Sequence, residues 1–127
     1  MKLLSREEFK IQVFKRDNQK CVVCKKPAVD AHHLLDRKLF KDGGYYLNNG
    51  ASLCDEHHFK AETTEFSVEY LRGLCSIREI KLPDGFSFDK IYDKWGNEIN
   101  SNGLVPGPLF NDKGCQTMLK VKNSKSF

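Results

Sequence analysis

Hydrophobic positions recur at helical spacing near the start of the chain. Phe9 and Val13 lie four residues apart, as expected for one face of a helix. Ser5 and Glu8 precede Phe9 with the spacing of a capping box, in which each side chain bonds to the backbone of the other residue. The pattern therefore predicts a helix that begins after Ser5 and ends near Arg16.

Shorter elements are expected in the middle of the chain. They are a strand from Ala28 to His32 or His33, a return strand at 45–47, a helix from Cys54 to about Glu62 and a helix over residues 68–75. The turn-forming sequence Asp42-Gly43-Gly44 separates the two strands. Ser67 is suited to cap the last helix. Together these elements predict an α+β domain.

Regular patterning is lost after Pro83, where glycine and proline become frequent. We therefore expect a domain over residues 1–82 and a loop-rich extension over residues 83–127, packed on the same domain. Trp95 lies beside a turn in this extension. It is expected to close the core, although it could also form part of a partner surface.

Composition limits the protein class. A chain of 127 residues with 39% hydrophobic content can form one domain with a modest core, and a structural metal is one way to brace such a domain. The charged N-terminus does not resemble a signal peptide, and no apolar run could span a bilayer. We therefore expect no membrane partner and a reducing, cytoplasmic location. Five cysteines cannot all be paired within one chain.

Positive charge is unevenly distributed, although the net charge is only +4. Basic residues crowd the approach to the first cysteines: Lys10, Lys15, Arg16, Lys20, Lys25 and Lys26. Such clustering is typical of proteins that bind a polyanion, but a solubilising surface has the same composition. Charge alone leaves both interpretations open.

Metal-type ligands are concentrated between residues 21 and 58. Cys21 and Cys24 form a Cys-x-x-Cys turn, and Cys54 and His57 are three residues apart at the start of a predicted helix. Three thiolates and one imidazole would close a tetrahedral zinc site that has a structural role. A redox Cys-x-x-Cys is the alternative, but no βαβ pattern surrounds it and it would leave the second ligand pair unexplained.

The other histidines point to a second ion. Neighbouring residues on a helix point about 100° apart, so His57 and His58 are poorly placed to bind the same metal. If His57 faces the zinc, His58 faces elsewhere and can meet the strand pair His32-His33. An ion held by His32 and His58 alone would keep positions for water and phosphate oxygens, with His33 as a candidate general base. His57 and His58 could exchange roles, and a histidine beside a ligand can also be a surface residue.

The stretch from Cys21 to about Glu62 resembles the HNH endonuclease family, whose ββα-metal site is often built on a treble-clef zinc scaffold. The sequence Val-Asp-Ala-His-His-Leu-Leu at 29–35 is similar to the family's first-strand motif. In that motif the first polar residue of a pair binds the catalytic metal and the second, a histidine, activates water. The resemblance assigns these roles to His32 and His33.

The sequence from Asn49 to His58 is similar to the second half of the motif. The resemblance makes Asn49 the asparagine that braces the loop and orients the base, and His58 the closing metal ligand. Asn48 is adjacent, so the choice of Asn49 depends on its spacing to Cys54. His57 stands where many zinc-bearing members have a fourth cysteine.

The resemblance implies a small, zinc-stabilised ββα-metal nuclease domain at 1–82, with its core motif at 21–62. It would hydrolyse phosphodiester bonds of nucleic acid, DNA in preference to RNA, with structural Zn²⁺ and one catalytic Mg²⁺, Mn²⁺ or other divalent ion. Three basic residues near the motif would contact phosphates: Arg37, Lys38 and Lys60. Glu62 could add a carboxylate ligand. A homodimer, or two successive reactions, would be needed to cut both strands.

A non-catalytic zinc module that binds nucleic acid or protein is the competing interpretation. Such a module needs a structural zinc site but no general base, bracing asparagine or open metal position. The presence of His33, Asn49 and His58 together favours the nuclease.

Overall fold

A computed structural model describes residues 1–124 of the chain; residues 125–127, at the end of the expected extension, lie outside the described part. The elements are α1 (Arg6–Arg16), β1 (Asp30–His33), β2 (Gly50–Leu53), α2 (Asp55–Glu62), α3 (Val68–Leu74), β3 (Ile91–Tyr92), β4 (Glu98–Asn100), β5 (Gly103–Val105) and α4 (Lys113–Ser124). Short 3-10 turns lie at Arg37–Leu39 and Leu47–Asn49. Helices and two small antiparallel sheets confirm the α+β class.

Helix α1 begins as its sequence predicts. Ser5 Oγ accepts a bond from Glu8 N at 3.1 Å, and Glu8 Oε1 accepts one from Ser5 N at 2.9 Å, which completes the capping box. Phe9 and Val13 are buried. Arg16, at the end of the helix, donates to the carbonyl oxygens of Leu47 at 3.0 Å and Gly50 at 2.6 Å, so both ends of α1 are held.

Strands β1 and β2 form an antiparallel pair in which His32 lies opposite Ala51 and His33 opposite Gly50. The predicted return strand at 45–47 was wrong, because the pairing strand is Gly50–Leu53. Leu47–Asn49 form a 3-10 turn, and Tyr45 O accepts a hydrogen bond from Leu4 N at 2.8 Å, so this segment does not pair with β1. A Cβ atom at Gly50 would lie 2.5 Å from Val13 Cγ2, so the strand that packs beneath α1 has to carry glycine there.

The helices expected after β2 are confirmed. Cys54 is the N-cap of α2, and Ser67 caps α3 by accepting a bond from Tyr70 N at 3.0 Å. Leu53 and Leu71 are among the buried residues of the main core, which these helices share with β2. The core therefore lies next to the end of β2 that leads into α2.

The C-terminal part is more regular than expected. It contains the β3–β4–β5 sheet and helix α4, which the sequence did not predict, separated by loop segments. Gly96 and Gly103, which suggested loops, have positive φ of 83° and 112° at tight turns beside strands of two or three residues.

This part contacts the preceding residues through a few specific bonds. Asp36 N donates to Lys94 O at 2.9 Å, and Trp95 Nε1 donates to Glu62 O at 3.0 Å. Trp95 is buried, as expected of an aromatic residue that closes a core. Within residues 1–124, no helix is long and apolar enough to cross a membrane.

Candidate metal centres

Cys21, Cys24, Cys54 and His57 converge as the sequence predicts, with one donor atom from each within 4.8 Å of the others. The two sulfur atoms of Cys24 and Cys54 are 3.7 Å apart, and His57 Nδ1 lies 3.2 Å from Cys54 Sγ and 3.7 Å from Cys21 Sγ. A zinc tetrahedron with bonds of about 2.3 Å to sulfur and about 2.0 Å to nitrogen has edges of about 3.5–3.8 Å. The cluster could therefore hold a metal ion such as zinc.

Local backbone structure prepares the first two ligands. Cys21 N donates to Lys26 O at 2.8 Å, Lys25 N donates to Cys21 O at 2.9 Å, and Lys25 has a positive φ of 66°. Burial acts to raise the pKa of the Cys21 thiol, but backbone hydrogen bonds from Cys54 and Cys24 lower it below its usual value. This favours the thiolate form that a metal ion requires.

His57 and His58 face different groups. The His57 ring points at the cysteine cluster, whereas His58 Nε2 lies 3.3 Å from Asp30 Oδ2 and 3.0 Å from Glu62 Oε1. This divergence follows from their adjacent positions in α2. The structure therefore gives the two histidines separate surroundings, with His57 on the cysteine side.

A second group of ligands forms where β1 meets α2. Donor atoms of Asp30, His32 and His58 lie within 4.8 Å of one another. The rings of His32 and His58 are 5.4 Å apart between centroids. His32 is 2% exposed, and neither of its ring nitrogens has a hydrogen-bond partner among residues 1–124. An orphaned buried imidazole is costly unless something binds it, so the donor set fits a metal ion.

Charged groups surround this second cluster. Burial acts to raise the pKa of Glu62, but its bond with His58 and the charge of Lys94 bring it down to about 2. The same bond raises the pKa of His58. Burial, aided by the charge of Lys94, holds the pKa of His32 well below its usual value, so this imidazole stays neutral, as a metal ligand must be.

His33 lies on the same strand but in different surroundings. Its ring stacks on Phe9 at 4.7 Å and meets the edge of Tyr45 at 4.8 Å, measured between ring centroids. Burial is the largest cause that lowers its pKa, to about 4, whereas a hydrogen bond with the backbone of Gly43 acts in the opposite direction. Nε2 of His33 has no hydrogen-bond partner within the described residues.

Asn49 is fully buried and joins two turns of the chain. Its Oδ1 accepts from Leu35 N at 3.0 Å, and its Nδ2 donates to Leu35 O and Gly44 O, both at 3.1 Å. The neighbouring backbone carbonyl of Gly43 accepts the hydrogen bond of the His33 ring that acts to raise the pKa of His33. Asn49 therefore braces the loop that contacts His33.

An open cleft of about 640 Å³ is lined by the second cluster and by His33, although the His32 ring itself is buried. Its lining includes four basic side chains: Arg6 and Lys10 from α1, Arg37 from the 3-10 turn after β1, and Lys94. Lys38 and Lys60 do not belong to the described lining. Lys38 instead pairs with Asp112 at 3.1 Å, and Lys60 with Glu56 at 3.6 Å.

The sequence suggested no individual role for four residues of the cleft, Arg6, Lys10, Asp30 and Lys94, although Lys10 belongs to the basic cluster before the first cysteines. Three of them had a local signal. Asp30 is two residues before His32, so both point to the same face of a strand, and Arg6 and Lys10 are one helical turn apart. Lys94 had none, because it is 62 positions after His32 and only the folded chain brings it there.

Comparison with known proteins identifies no family. No protein-family model matches the chain, and no curated protein or solved structure matches it significantly. The function must therefore be inferred from the side chains themselves.

Proposed function

We propose that the chain is a metal-dependent endonuclease of the HNH type, which hydrolyses phosphodiester bonds in nucleic acid, with DNA as the favoured substrate. The observation that carries this proposal is the separation of two donor groups. His57 joins the three cysteines, whereas His58 joins His32 and Asp30 at an open cleft. A zinc-stabilised hydrolase is expected to have one metal site with four protein ligands, which braces the fold, and a second site that keeps positions free for water and substrate.

Asp30, His32 and His58 would hold the catalytic ion. Two imidazoles and one carboxylate suit Mn²⁺, Zn²⁺ or Ni²⁺ better than Mg²⁺, which prefers oxygen ligands. A divalent ion held by these residues would supply positive charge to the phosphate and to the departing oxygen. Three protein ligands leave room for water and a phosphate oxygen.

His33 would act as the general base. Its depressed pKa of about 4 keeps the ring neutral at pH 7, so that it can accept a proton. A bond in which a ring nitrogen donates to a backbone carbonyl raises the pKa of the ring, as the bond with Gly43 does. Nε2, which has no partner in the described structure, would then carry the lone pair that receives the proton from water.

Asn49 and the basic residues would position the reactants. Asn49 holds the loop that bonds to His33, and so restricts the orientation of the base. Arg6, Lys10 and Arg37 line the same cleft and can contact successive phosphates. Contacts of this kind position the substrate but carry no base sequence information. We therefore expect cleavage with little sequence preference.

The test is cleavage of supercoiled plasmid with Mg²⁺ or Mn²⁺, with and without a chelator, by the wild-type chain and by His33→Ala. Loss of a general base typically costs about 10²–10⁴-fold in rate. We expect His33→Ala to lose cleavage on this scale while it keeps its zinc and its affinity for the plasmid. Cleavage by the variant at the wild-type rate would remove His33 from the mechanism. Binding without cleavage by the wild-type chain would support the non-catalytic zinc module instead.

A further inference from the structure

Lys94 lies between two carboxylates on the lining of the cleft. Its Nζ is 2.7 Å from Asp36 Oδ1 and 3.0 Å from Glu62 Oε2. The Lys94 and Asp36 side chains are each only 10% exposed. The ammonium group also lies over the Trp95 ring, 4.3 Å from its centroid. A lysine held in this way is a fixed, largely desolvated cation rather than a mobile surface charge.

Glu62 links this cation to the second group of metal-type ligands. Its Oε2 faces Lys94, whereas its Oε1 lies 3.0 Å from His58 Nε2 and 3.9 Å from His32 Nδ1. One carboxylate thus contacts both the Lys94 ammonium and the histidines of the second cluster. Hydrolases that use two metal ions have the ions about 3.5–4 Å apart, close enough for one carboxylate to contact both.

We infer that the Lys94 ammonium takes the place of a second divalent ion, between Asp36 and Glu62. The inference rests on the proposed one-ion site at Asp30, His32 and His58. The centre would then operate with one exchangeable ion and one cation built into the chain. Because only one ion has to bind, its activity should depend on metal concentration without cooperativity.

The charge of the two carboxylates and their distances from the Lys94 ammonium are compatible with a metal ion in its place. Two largely buried carboxylates that share one cation would repel each other strongly if it were removed. The observed distances of 2.7 and 3.0 Å suit hydrogen bonds from an ammonium group. Mg²⁺ needs oxygen ligands at about 2.0–2.1 Å, so each carboxylate would have to move inward by only about 1 Å.

The experiment counts Mn²⁺ bound to zinc-loaded protein by electron paramagnetic resonance. The wild-type chain should bind about one Mn²⁺, and Lys94→Ala, which removes the ammonium and opens space, about two. Lys38→Ala is the matched control, because Lys38 also pairs with an aspartate, Asp112, but away from the cleft. The control should bind as the wild type does. The double variant Lys94→Ala/Asp36→Asn should lose the additional ion.

A folded Lys94→Ala that binds no more Mn²⁺ than the wild type would overturn the inference. If the variant is unfolded without metal, Mn²⁺ should refold it, as followed by circular dichroism, and should not refold the double variant. Failure of millimolar Mn²⁺ to refold Lys94→Ala would equally overturn it.

These results separate the inference from the proposed function. A wild-type chain that binds no Mn²⁺ beyond its zinc site would refute the one-ion centre. Even then, Mn²⁺ binding by Lys94→Ala that is lost in Lys94→Ala/Asp36→Asn would show that the Lys94 ammonium fills a site where a metal ion can bind.

Discussion

Replacement of Asn49 by alanine should damage both the stability and the proposed chemistry. The side chain is fully buried and makes three hydrogen bonds, with lengths of 3.0, 3.1 and 3.1 Å. Alanine removes this shared partner from Leu35 N, Leu35 O and Gly44 O. The loop that bonds to His33 would then lose its anchor.

The cost can be worked out from these bonds. Each buried group left without its partner costs about 1–3 kcal/mol, and the three are coupled, so the sum is about 3–5 kcal/mol. For a domain of this size, such a loss lowers Tm by about 10–20 °C. A displacement of His33 of about 1 Å would reduce the cleavage rate about 100-fold.

Two assays separate the loss of stability from the loss of cleavage. Urea unfolding with zinc bound measures the first, and plasmid cleavage at a temperature where the variant is folded measures the second. Ser52→Ala is the matched control, because its buried hydroxyl donates to Val13 O at 3.2 Å and does not line the cleft. It should cost about 1 kcal/mol and leave cleavage within about twofold of wild type. A loss below about 1 kcal/mol in Asn49→Ala, or equal loss of cleavage in both variants, would refute the reasoning.

Two further substitutions test the zinc site and the cleft. Cys54→Ser should release zinc and lower Tm sharply, because the site loses one of four ligands, whereas Cys75→Ser should keep its zinc. Zinc content after desalting and thermal melting measure these effects. Full retention of zinc by Cys54→Ser would contradict the zinc site. Arg37→Ala should weaken DNA binding and reduce, by about 0.9, the slope of the logarithm of the binding constant against the logarithm of salt concentration. Lys60→Ala should change binding less, because Lys60 pairs with Glu56 and is not among the described lining residues of the cleft. Binding titrations at several salt concentrations measure both variants, and an equal effect would argue against the cleft as the nucleic-acid surface.

Sequence reasoning succeeded where the signal lies within one element. The capping box of α1 and the cap of α3 depend on residues three positions apart, so both helices begin where predicted. The divergence of His57 from His58 is also local, because helix geometry alone requires it. The cysteine cluster has a different basis: each pair has a local metal-type spacing, and the need of zinc for four ligands predicts that the two distant pairs meet.

Sequence reasoning failed where distant residues decide the structure. Strand β2 lies at Gly50–Leu53 rather than 45–47 because Tyr45 O bonds to Leu4 N, a residue 41 positions earlier, and a 3-10 turn follows at Leu47–Asn49. Strands of two or three residues are too short for alternation to be recognised, so the β3–β5 sheet was missed. Lys94 reaches the cleft only because the C-terminal residues pack there.

The central claim is that His57 and His58 serve two different ions. It is tested most directly by zinc content, Mn²⁺ binding and plasmid cleavage in His57→Ala and His58→Ala, two substitutions at adjacent positions of one helix. We expect His57→Ala to lose its zinc, and His58→Ala to keep its zinc and Tm while it loses Mn²⁺ binding and cleavage. Release of zinc by His58→Ala, or cleavage by it at the wild-type rate, would contradict the claim.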